Sequence, residues 1–424
     1  MKTIRLREHE SALVVEGPDA THLTFSEIEA LERVQKAVKV DAFGWTGRNR
    51  VRTAQYVGMV PSAGARLEIL PKIDDLGVGD SRRVLTRMIG IAWGVPVQDG
   101  DVTGHDYQKY DLLELLIGLF ARRLLCQVRA GLARAYRGYE DDLSRLRGKM
   151  NVTRQFTRLA ASPQKLACRY DEFTADTGLN RLLLCAVMFL RRESARADTQ
   201  RLLNELASHF ADVEVVPASA ALAEQFLPDR VNQRWAILAK LARLLLSSVY
   251  QTAHSGNREG IALLFDMNVL FESYVAALAG KACLPLGYKA CIQGPQGYLT
   301  GEEAFQTKPD LHFKRGDDVI VLDTKWKKVD PAQPHFGVDQ KDAYQMHAYA
   351  HVYASRSTIL LYPHHRGIPE SSGHQMRWRF KTGGSDLIVA TIDLTKSPDD
   401  FCASLRRLLE LPEERMRGRL AVAW

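Results

Sequence analysis

A short apolar segment between charged residues is the sequence feature that most restricts the fold of this chain. The apolar run Val319–Leu322 ends in Asp323-Thr324-Lys325, and the segment Asp310–Phe313 precedes it across a Gly316-Asp317 turn. Apolar runs of this length between turn residues are typical of buried strands, and a Gly-Asp pair is a common hairpin turn. We therefore expect an antiparallel hairpin whose second strand is buried.

Two aspartates and a lysine are expected to meet in that hairpin. Residues two apart in a strand point to the same face, so Asp323 and Lys325 project together, and the pairing brings Asp310 beside them. Two carboxylates suit Mg²⁺ or Mn²⁺, which can activate a water for phosphodiester hydrolysis, and a lysine can orient that water. Taken singly, each residue is better explained as a turn or solvated strand-end residue.

The rest of the sequence divides into three regions, as the length of 424 residues allows. Residues 1–104 predict a β-rich N-terminal module with one early helix over Ile28–Val38, capped by Thr24 or Ser26. Residues 105–255 predict a helical middle region, because apolar residues recur there at helical spacing. Residues 256–424 predict an α/β domain that follows a connector at His254–Gly260.

The helices predicted in the middle region are Asp111–Leu125, Gly178–Arg192, Thr199–Ala211 and Val231–Tyr250. The elements predicted around the hairpin in the last region are Asp266–Ala279, Lys289–Gln293, Lys341–Ala354, Thr358–Tyr362, Met376–Phe380, Leu387–Asp393 and Asp399–Leu411.

Composition narrows the classes of protein that fit. The net charge of +7 is a mild excess that suits a partner with a phosphate backbone. The six cysteines contain no C-x-x-C pair, which excludes the usual spacing of structural zinc sites and favours reduced thiols. The N-terminus has no apolar signal segment, and no apolar run approaches the roughly 18 residues that span a bilayer. We expect a soluble, cytoplasmic protein without a membrane partner.

Pro309-Asp310 together with Asp323-Thr324-Lys325 resembles the motif of the PD-(D/E)xK nuclease superfamily. Upstream, Glu272 lies on a predicted helix where this superfamily often has an additional metal or water ligand. Downstream, Gln345 and Tyr349 lie on one face of a predicted helix, similar to the Gln-x-x-x-Tyr element of the RecB-like branch. Four elements in the expected order make the combination more specific than the short motif alone.

The resemblance implies a role for each of these residues. Asp310, Asp323 and Glu272 would hold Mg²⁺ or Mn²⁺, and Lys325 would position the attacking water. Gln345 and Tyr349 would support the lysine and the DNA strand. The structural alternatives are an exposed helix glutamate for Glu272 and core and cap residues for Gln345 and Tyr349.

The order of further segments is similar to that of the McrC family, the nuclease subunits of McrBC-type modification-dependent restriction systems. The matching blocks extend from about residue 55 to 365 and are Val57-Gly58-Met59-Val60, Leu67–Ile73, Leu146-Arg147-Gly148-Lys149-Met150, Asn180-Arg181, Phe265–Glu272, Asp323–Lys327 and Tyr362-Pro363. Each block is short, so the specificity lies in their order along the chain.

Membership of this family implies an endodeoxyribonuclease that acts on methylcytosine-containing DNA together with an McrB-like AAA+ GTPase. The chain contains no G-x-x-x-x-G-K-[ST] phosphate loop, which agrees with NTP hydrolysis by a partner. The implied fold is an α/β C-terminal PD-(D/E)xK nuclease domain, preceded by a helical middle region and a β-rich N-terminal module that docks the partner. Two alternatives are a non-catalytic scaffold that activates an AAA+ motor and a stand-alone RecB-like repair nuclease.

Three basic features carry open interpretations. Arg48, Arg50 and Arg52 either reach a partner or lie in a solvated loop. A basic tract between Arg129 and Arg169 either contacts the DNA backbone or pairs with the acidic residues around it. His364-His365 resembles a metal pair, but adjacent strand residues point to opposite faces, so we favour a structural role.

Overall fold

The computed structural model describes residues 2–410 except 18, 20–21, 63–64, 74–75, 95–102, 163, 224–229, 231 and 254–261. The chain divides into two compact units, one formed by residues 1–35, 40–112 and 264–424 and the other by residues 36–39 and 113–263. The predicted connector His254–Gly260 lies outside the described residues, as does Leu411, the last residue of the predicted closing helix.

The N-terminal part of the first unit contains two sheets and three helices in the described residues. Its elements are β1 (Lys2–Arg7), β2 (Ser11–Val15), β3 (Leu23–Thr24), α1 (Phe25–Val38), β4 (Phe43–Trp45), β5 (Arg50–Thr53), β6 (Tyr56–Ser62), β7 (Ala65–Leu70), α2 (Val78–Ala92) and α3 (Gly104–Lys109). Helix α1 was predicted, and Thr24 caps it through a capping box: its Oγ1 accepts from Glu27 N at 3.3 Å and its N donates to Glu27 Oε2 at 2.8 Å.

The second unit is mostly helical, as predicted, but it also contains a three-stranded sheet that the sequence analysis missed. Its elements are α4 (Leu112–Arg129), β8 (Ala135–Leu143), β9 (Lys149–Met150), α5 (Val152–Thr157), β10 (Leu166–Thr174), α6 (Gly178–Glu193), α7 (Ala197–His209), α8 (Ala218–Ala223) and α9 (Ala236–Ala253). Strands β8 and β10 pair antiparallel over nine residues, and most of their side chains are exposed or half-buried. The two strands therefore lack the buried, apolar face by which strands are predicted from a sequence.

The C-terminal part of the first unit contains the predicted hairpin. Its elements are β11 (Leu263–Asp266), α10 (Met267–Cys283), β12 (Lys289–Ile292), β13 (Gly297–Tyr298), β14 (Gln306–Thr307), β15 (Leu311–Arg315), β16 (Asp318–Thr324), α11 (Gln340–Val352), β17 (Ser357–Pro363), β18 (Gly373–Arg379), β19 (Asp386–Ile392) and α12 (Pro398–Leu409). The six-stranded sheet of this part has the order β12-β15-β16-β17-β19-β18.

Strands β15 and β16 form the antiparallel hairpin, and β16, β17 and β19 are parallel. The central strand β16 is buried from Val319 to Asp323 because helices α10 and α11 pack against it. A core of Val321, Met346, Leu360 and Val389 joins the sheet to α11. This packing fixes helix α11 above the carboxyl end of β16.

The first and last sequence regions belong to the same compact unit, whereas the sequence analysis treated them as separate domains. Strand β11, which precedes α10, completes the sheet β1-β7-β6-β11. Trp326 Nε1 also donates to both carboxylate oxygens of Glu8, at 2.9 and 3.0 Å. Backbone pairing and a partly buried hydrogen bond therefore join the N-terminal and C-terminal parts of this unit.

One helical segment of the described chain, Met267–Leu286, has the length and apolar composition of a membrane span, with a mean hydropathy of 1.4. The sequence analysis overlooked it because Glu272 and Lys281 interrupt the apolar residues. Half of the segment is buried inside the protein, and α10 packs against α2 and α12. These contacts are those of a core helix.

Candidate active site

The candidate site lies at the carboxyl end of β16. Leu311 pairs with Leu322, so Asp310 directly precedes the paired residues at the end of the hairpin where Asp323 lies. Lys325 N donates to Leu361 O at 2.9 Å, which continues the pairing with β17 beyond the strand. The structure thus brings the three motif residues together, as the hairpin predicts.

Asp310 is held in place by the middle residue of the Asp-x-Lys motif. Thr324 donates to Asp310 Oδ2 from its backbone nitrogen and from its Oγ1, at 2.7 Å each. Two donors on one oxygen fix the orientation of the carboxylate. The sequence analysis assigned no role to Thr324.

Asp323 is a buried carboxylate, only 3% exposed. Burial and the nearby charge of Asp310 raise its pKa from 3.8 to about 7. Lys325 opposes this shift, since its Nζ lies 2.8 Å from Asp323 Oδ2. The site therefore holds two mutually repelling carboxylates beside one cation.

Lys325 has three polar partners. Besides Asp323, its Nζ lies 3.0 Å from Gln345 Oε1 and 3.4 Å from Asp342 Oδ1. Burial lowers the pKa of Lys325, but the carboxylates of Asp323 and Asp342 outweigh burial and raise the pKa overall. The ammonium group is thus charged and fixed in position.

Gln345 and Tyr349 lie one turn apart on α11 and face the motif, as the spacing predicts. Gln345 Nε2 donates to Tyr349 Oη at 2.8 Å and lies 3.4 Å from Asp323 Oδ1. Tyr349 Oη in turn donates to Lys308 O at 3.1 Å. This chain of hydrogen bonds connects the helix to both sides of the hairpin.

Glu272 lies on α10 and joins the site through a neighbour. Gln293 Nε2 donates to Glu272 Oε1 at 2.9 Å, and Gln293 N donates to Asp310 O at 2.8 Å. Burial raises the pKa of Glu272, and the charge of Asp310 adds to the rise. The charge of Asp310 therefore affects the pKa of Glu272. Gln293 bridges Glu272 and Asp310, and sequence reasoning missed it.

Asp342 is a second residue that sequence reasoning missed. Its carboxylate is buried and lies between two lysines, with Oδ1 3.4 Å from Lys325 Nζ and Oδ2 3.3 Å from Lys327 Nζ. Its position one helical turn before Gln345 was the available signal, since residues three apart share a helix face.

The carboxylates of the site are the possible ligands of a divalent cation. The described residues contain no group of three His, Cys, Asp or Glu side chains already close enough to hold a metal ion, so Glu272 does not complete a preformed cage. Magnesium is commonly bound through one or two carboxylates with water as the remaining ligands. Asp310 and Asp323 supply such a pair, and their mutual repulsion favours a cation between them. These two residues fit Mg²⁺ or Mn²⁺.

The histidine pair and the basic tract between Arg129 and Arg169 make structural contacts. His364 Nδ1 lies 3.0 Å from Thr391 Oγ1, and His365 Nε2 lies 2.7 Å from Val329 O, so the two rings have separate partners. Five arginines of the basic tract form ion pairs with carboxylates: Arg129 with Glu205, Arg137 with Asp176, Arg147 with Glu172, Arg154 with Asp142 and Arg169 with Glu140. The ion-pair interpretation therefore accounts for these five.

Two solved structures resemble the whole chain or most of it. One belongs to a half-complex from a tetradecameric assembly of Thermococcus gammatolerans McrB AAA+ hexamers with bound McrC, with a TM-score of 0.72, 20% identity, and coverage of 96% of this chain and 99% of that chain. The other belongs to the Thermococcus gammatolerans McrBC complex, with a TM-score of 0.51, 22% identity, and coverage of 66% of this chain and 88% of that chain. At these identities the likeness shows a shared fold. No curated protein matches the chain.

A family model described as McrBC 5-methylcytosine restriction system component matches residues 51–363. That range includes every residue of the candidate site, from Glu272 to Tyr349, and all of the blocks that resemble the McrC family. The chain therefore belongs to the McrBC 5-methylcytosine restriction system component family, which confirms the resemblance seen in the order of its sequence blocks.

Proposed function

We propose that this chain is the DNA-cleaving subunit of a McrBC-type restriction system and that it hydrolyses phosphodiester bonds in methylcytosine-containing DNA. The observation that carries the proposal is the cluster of Asp310, Asp323 and Lys325 at the carboxyl end of β16, where Gln345 holds Lys325 in place. A pair of carboxylates, one of them buried, beside a fixed lysine is suited to hydrolysis of a charged phosphate ester. We also propose that the C-terminal sheet with α10 and α11 is a PD-(D/E)xK nuclease domain.

In this proposal Asp310 and Asp323 bind Mg²⁺ or Mn²⁺, and Glu272 contributes through water. A cation of this kind activates a water and neutralises charge on the phosphate when it is bound. Thr324 keeps Asp310 oriented, and Gln345 keeps Lys325 beside Asp323. The charged Lys325 ammonium group, fixed beside Asp323, can then orient the attacking water and stabilise the negative charge that develops on the phosphate.

An AAA+ GTPase is the proposed partner. The chain lacks a phosphate loop, so GTP hydrolysis needs another protein. The Thermococcus gammatolerans assembly with a similar fold contains McrB AAA+ hexamers with bound McrC. We propose an equivalent association for this chain, with sequence and methylation recognised largely by the partner.

Cleavage of methylated and unmethylated plasmid DNA tests this function. The reaction is run with Mg²⁺ or Mn²⁺, with and without the AAA+ protein and GTP, for wild type, Asp310→Ala and Lys325→Ala. Asp317→Ala is the matched control, because it removes an exposed carboxylate at the opposite end of the same hairpin. We expect cleavage that needs the metal, the partner and both site residues but tolerates the control substitution.

Other outcomes would support the alternatives. Cutting without the partner would indicate a stand-alone nuclease. Stimulated GTP hydrolysis without cutting under any condition would indicate a scaffold, and unchanged cutting by Asp310→Ala or Lys325→Ala would refute the site assignment.

A further inference from the structure

A cleft of about 480 Å³ lies beside the candidate site within the first compact unit. One wall is formed by three segments of the N-terminal part of the chain: the residues after β1, strand β5 and the residues after β7. The other wall comes from the segments that follow β16 and β17. The charged residues that line it are Glu8, Arg52, Lys72, Lys327, Lys328 and Asp339.

The cations of this cleft outnumber its acids, and both acids are engaged. Lys327 Nζ pairs with Asp339. Glu8 accepts hydrogen bonds from Lys72 N at 2.7 Å and from Trp326 Nε1 at 2.9 Å. Four cations against two carboxylates leave a net charge of +2 at full ionisation.

The cations lie close enough to repel one another. Burial lowers the pKa of Lys328, and the charges of Lys72 and Arg7 lower it further. Burial also lowers the pKa of His9, with further contributions from Arg52 and Lys72. A cluster of positive groups in a concave surface favours an anion, because an anion relieves the repulsion.

The cleft is connected to the candidate site by two contacts. Asp342 shares its carboxylate between Lys325 in the site and Lys327 in the cleft, at 3.4 and 3.3 Å. Trp326 hydrogen-bonds Glu8 in the cleft, and its ring packs 5.5 Å from that of Phe271, the residue before Glu272.

We propose that this cleft binds backbone phosphates of the DNA strand next to the phosphate that is cut. Lys328 follows Lys325 by three residues, so their Cα atoms lie at most about 11 Å apart. Successive phosphates of one DNA strand are spaced about 3.4 Å along the helix axis. Lys328 therefore lies within a few nucleotides of the site, and Lys72 and Arg52 line the same cleft from the N-terminal wall.

The arrangement suits phosphate better than a base or an apolar ligand. Arg52 Nε donates to His9 O at 3.1 Å, which fixes the guanidinium group of a residue that lines the cleft. Phosphate contacts of this kind position DNA without reading its sequence. The inference rests on the proposed nuclease function, and it assigns the N-terminal part of the chain a share in holding the substrate.

The test measures DNA binding by the full chain in EDTA, where metal-dependent cleavage is absent. Fluorescence anisotropy of a labelled duplex is recorded over a series of KCl concentrations for wild type, the double variant Lys72→Gln/Lys328→Gln and the double variant Lys72→Arg/Lys328→Arg. Lys314→Gln is the matched control, because it removes an exposed lysine from the far end of β15. Both cleft lysines are exposed, so their variants are expected to fold, and circular dichroism checks this.

We expect the glutamine double variant to bind DNA about tenfold more weakly and to reduce the slope of log affinity against log salt by about 1.8, which is two phosphate contacts. The arginine double variant and Lys314→Gln should bind as wild type does. A glutamine double variant with wild-type affinity and slope would overturn the proposal, as would the absence of salt-dependent binding by wild type. Normal DNA binding with loss of AAA+ stimulation would overturn it in favour of a partner-docking cleft.

This result is separable from the proposed function. A wild-type chain that binds DNA through Lys72 and Lys328 but never cuts it would refute the nuclease assignment and leave the phosphate cleft in place. A chain that cuts DNA, with affinity unaffected by the cleft variants, would do the reverse.

Discussion

Glu8 is a buried carboxylate whose titration affects stability at neutral pH. Burial raises its pKa from 4.5 to about 7, and the charge of Asp266 adds to the rise, whereas Lys72 and Trp326 oppose it. Lys328 also faces it from the opposite wall of the cleft. Because the folded state binds the proton more tightly than the unfolded state, the stabilisation is complete below the unfolded pKa and is lost as the pH rises through about 7.

We therefore expect Glu8→Gln to reduce the loss of stability between pH 5 and pH 8. The difference in pH dependence between wild type and variant should amount to roughly 3 kcal/mol or less, because folding raises the pKa of Glu8 from 4.5 to about 7. Urea unfolding at several pH values measures it. Glu10→Gln, at an exposed neighbouring position, is the control. Equal pH dependence in wild type and Glu8→Gln would contradict the expectation.

Asp342 is expected to position Lys325. Replacing the carboxylate by an amide in Asp342→Asn removes the charge that holds Lys325 and Lys327 together, with little change in volume. We expect cleavage to fall about 10- to 100-fold, the usual cost of losing a partner of an active-site ligand. Asp339→Asn, which removes the exposed partner of Lys327, is the matched control.

The readout for Asp342 has to separate positioning from general stability. The pKa of Lys325 is raised partly by Asp342, so the alkaline limit of the pH–rate profile should move to lower pH in Asp342→Asn. The melting temperature should change little. A lower rate with an unmoved profile would indicate a structural role.

Residues of the site differ in how far the sequence predicts them. Asp310, Asp323 and Lys325 follow from one hairpin and its alternation, and Gln345 and Tyr349 follow from helical spacing. Helical spacing places Asp342 on the same face as Gln345 but does not show that it links α11 to two lysines after β16. Gln293 follows from no local spacing, because it bridges α10 to the hairpin. Local periodicity contains no information about which distant side chain meets them.

At the scale of elements, α2 shows how a buried ion pair hides a helix from sequence analysis. Arg82 is 1% exposed and forms a bidentate pair with the fully buried Glu68 of β7, with Nε–Oε1 at 2.7 Å and Nη2–Oε2 at 2.6 Å. Gly79 and Gly90 lower the intrinsic helix propensity of the segment. A charged residue and two glycines on the buried side weakened the apolar pattern that predicts helices.

We expect Arg82→Ala to destabilise the fold by about 3–5 kcal/mol, because the buried Glu68 carboxylate loses its bidentate partner and is left with the half-exposed Arg5, 3.3 Å away. Chemical denaturation measures the loss. The double variant Arg82→Met/Glu68→Leu removes both charges and should recover much of the stability. If Arg82→Ala unfolded at the wild-type denaturant concentration, the pair would not be a stabilising connection between α2 and β7.

The sheet of the second unit was missed for a different reason. Tyr139 stacks on Tyr170 across β8 and β10, with ring centroids 5.6 Å apart, and Tyr136 contacts Phe173. These aromatic pairs between neighbouring strands stabilise the pairing of β8 with β10 in the absence of a buried face. Gly148 has a φ of +70°, and a Cβ there would lie 2.4 Å from Arg169 O, which explains glycine within the Leu146–Met150 block. Because their side chains are mostly exposed, strands β8 and β10 of this sheet resemble a charged loop in sequence.

At the scale of the whole molecule, segments that are far apart in the sequence belong to the same compact unit. The first compact unit combines residues 1–35 and 40–112 with residues 264–424, and the helical unit is inserted between them in sequence. Strand β11 lies at the edge of the sheet formed by β1, β7 and β6, and Met267 N donates to Gln55 O at 3.0 Å. The α/β pattern of residues 256–424 predicted the elements of the site, but no local pattern predicted that the N-terminal part completes their core.

This arrangement predicts that the C-terminal part does not fold alone. In a fragment of residues 262–424, Trp326 loses Glu8, β11 loses β6, and α10 loses its contact with α2. Exposure of these apolar surfaces removes roughly 25 cal/mol of stability per Å². We expect the isolated fragment to unfold without a cooperative transition, whereas co-expression with residues 1–112 restores one. Calorimetry distinguishes the cases, and a cooperative transition in residues 262–424 alone would mean that the last region is an independent domain, as its sequence pattern suggests.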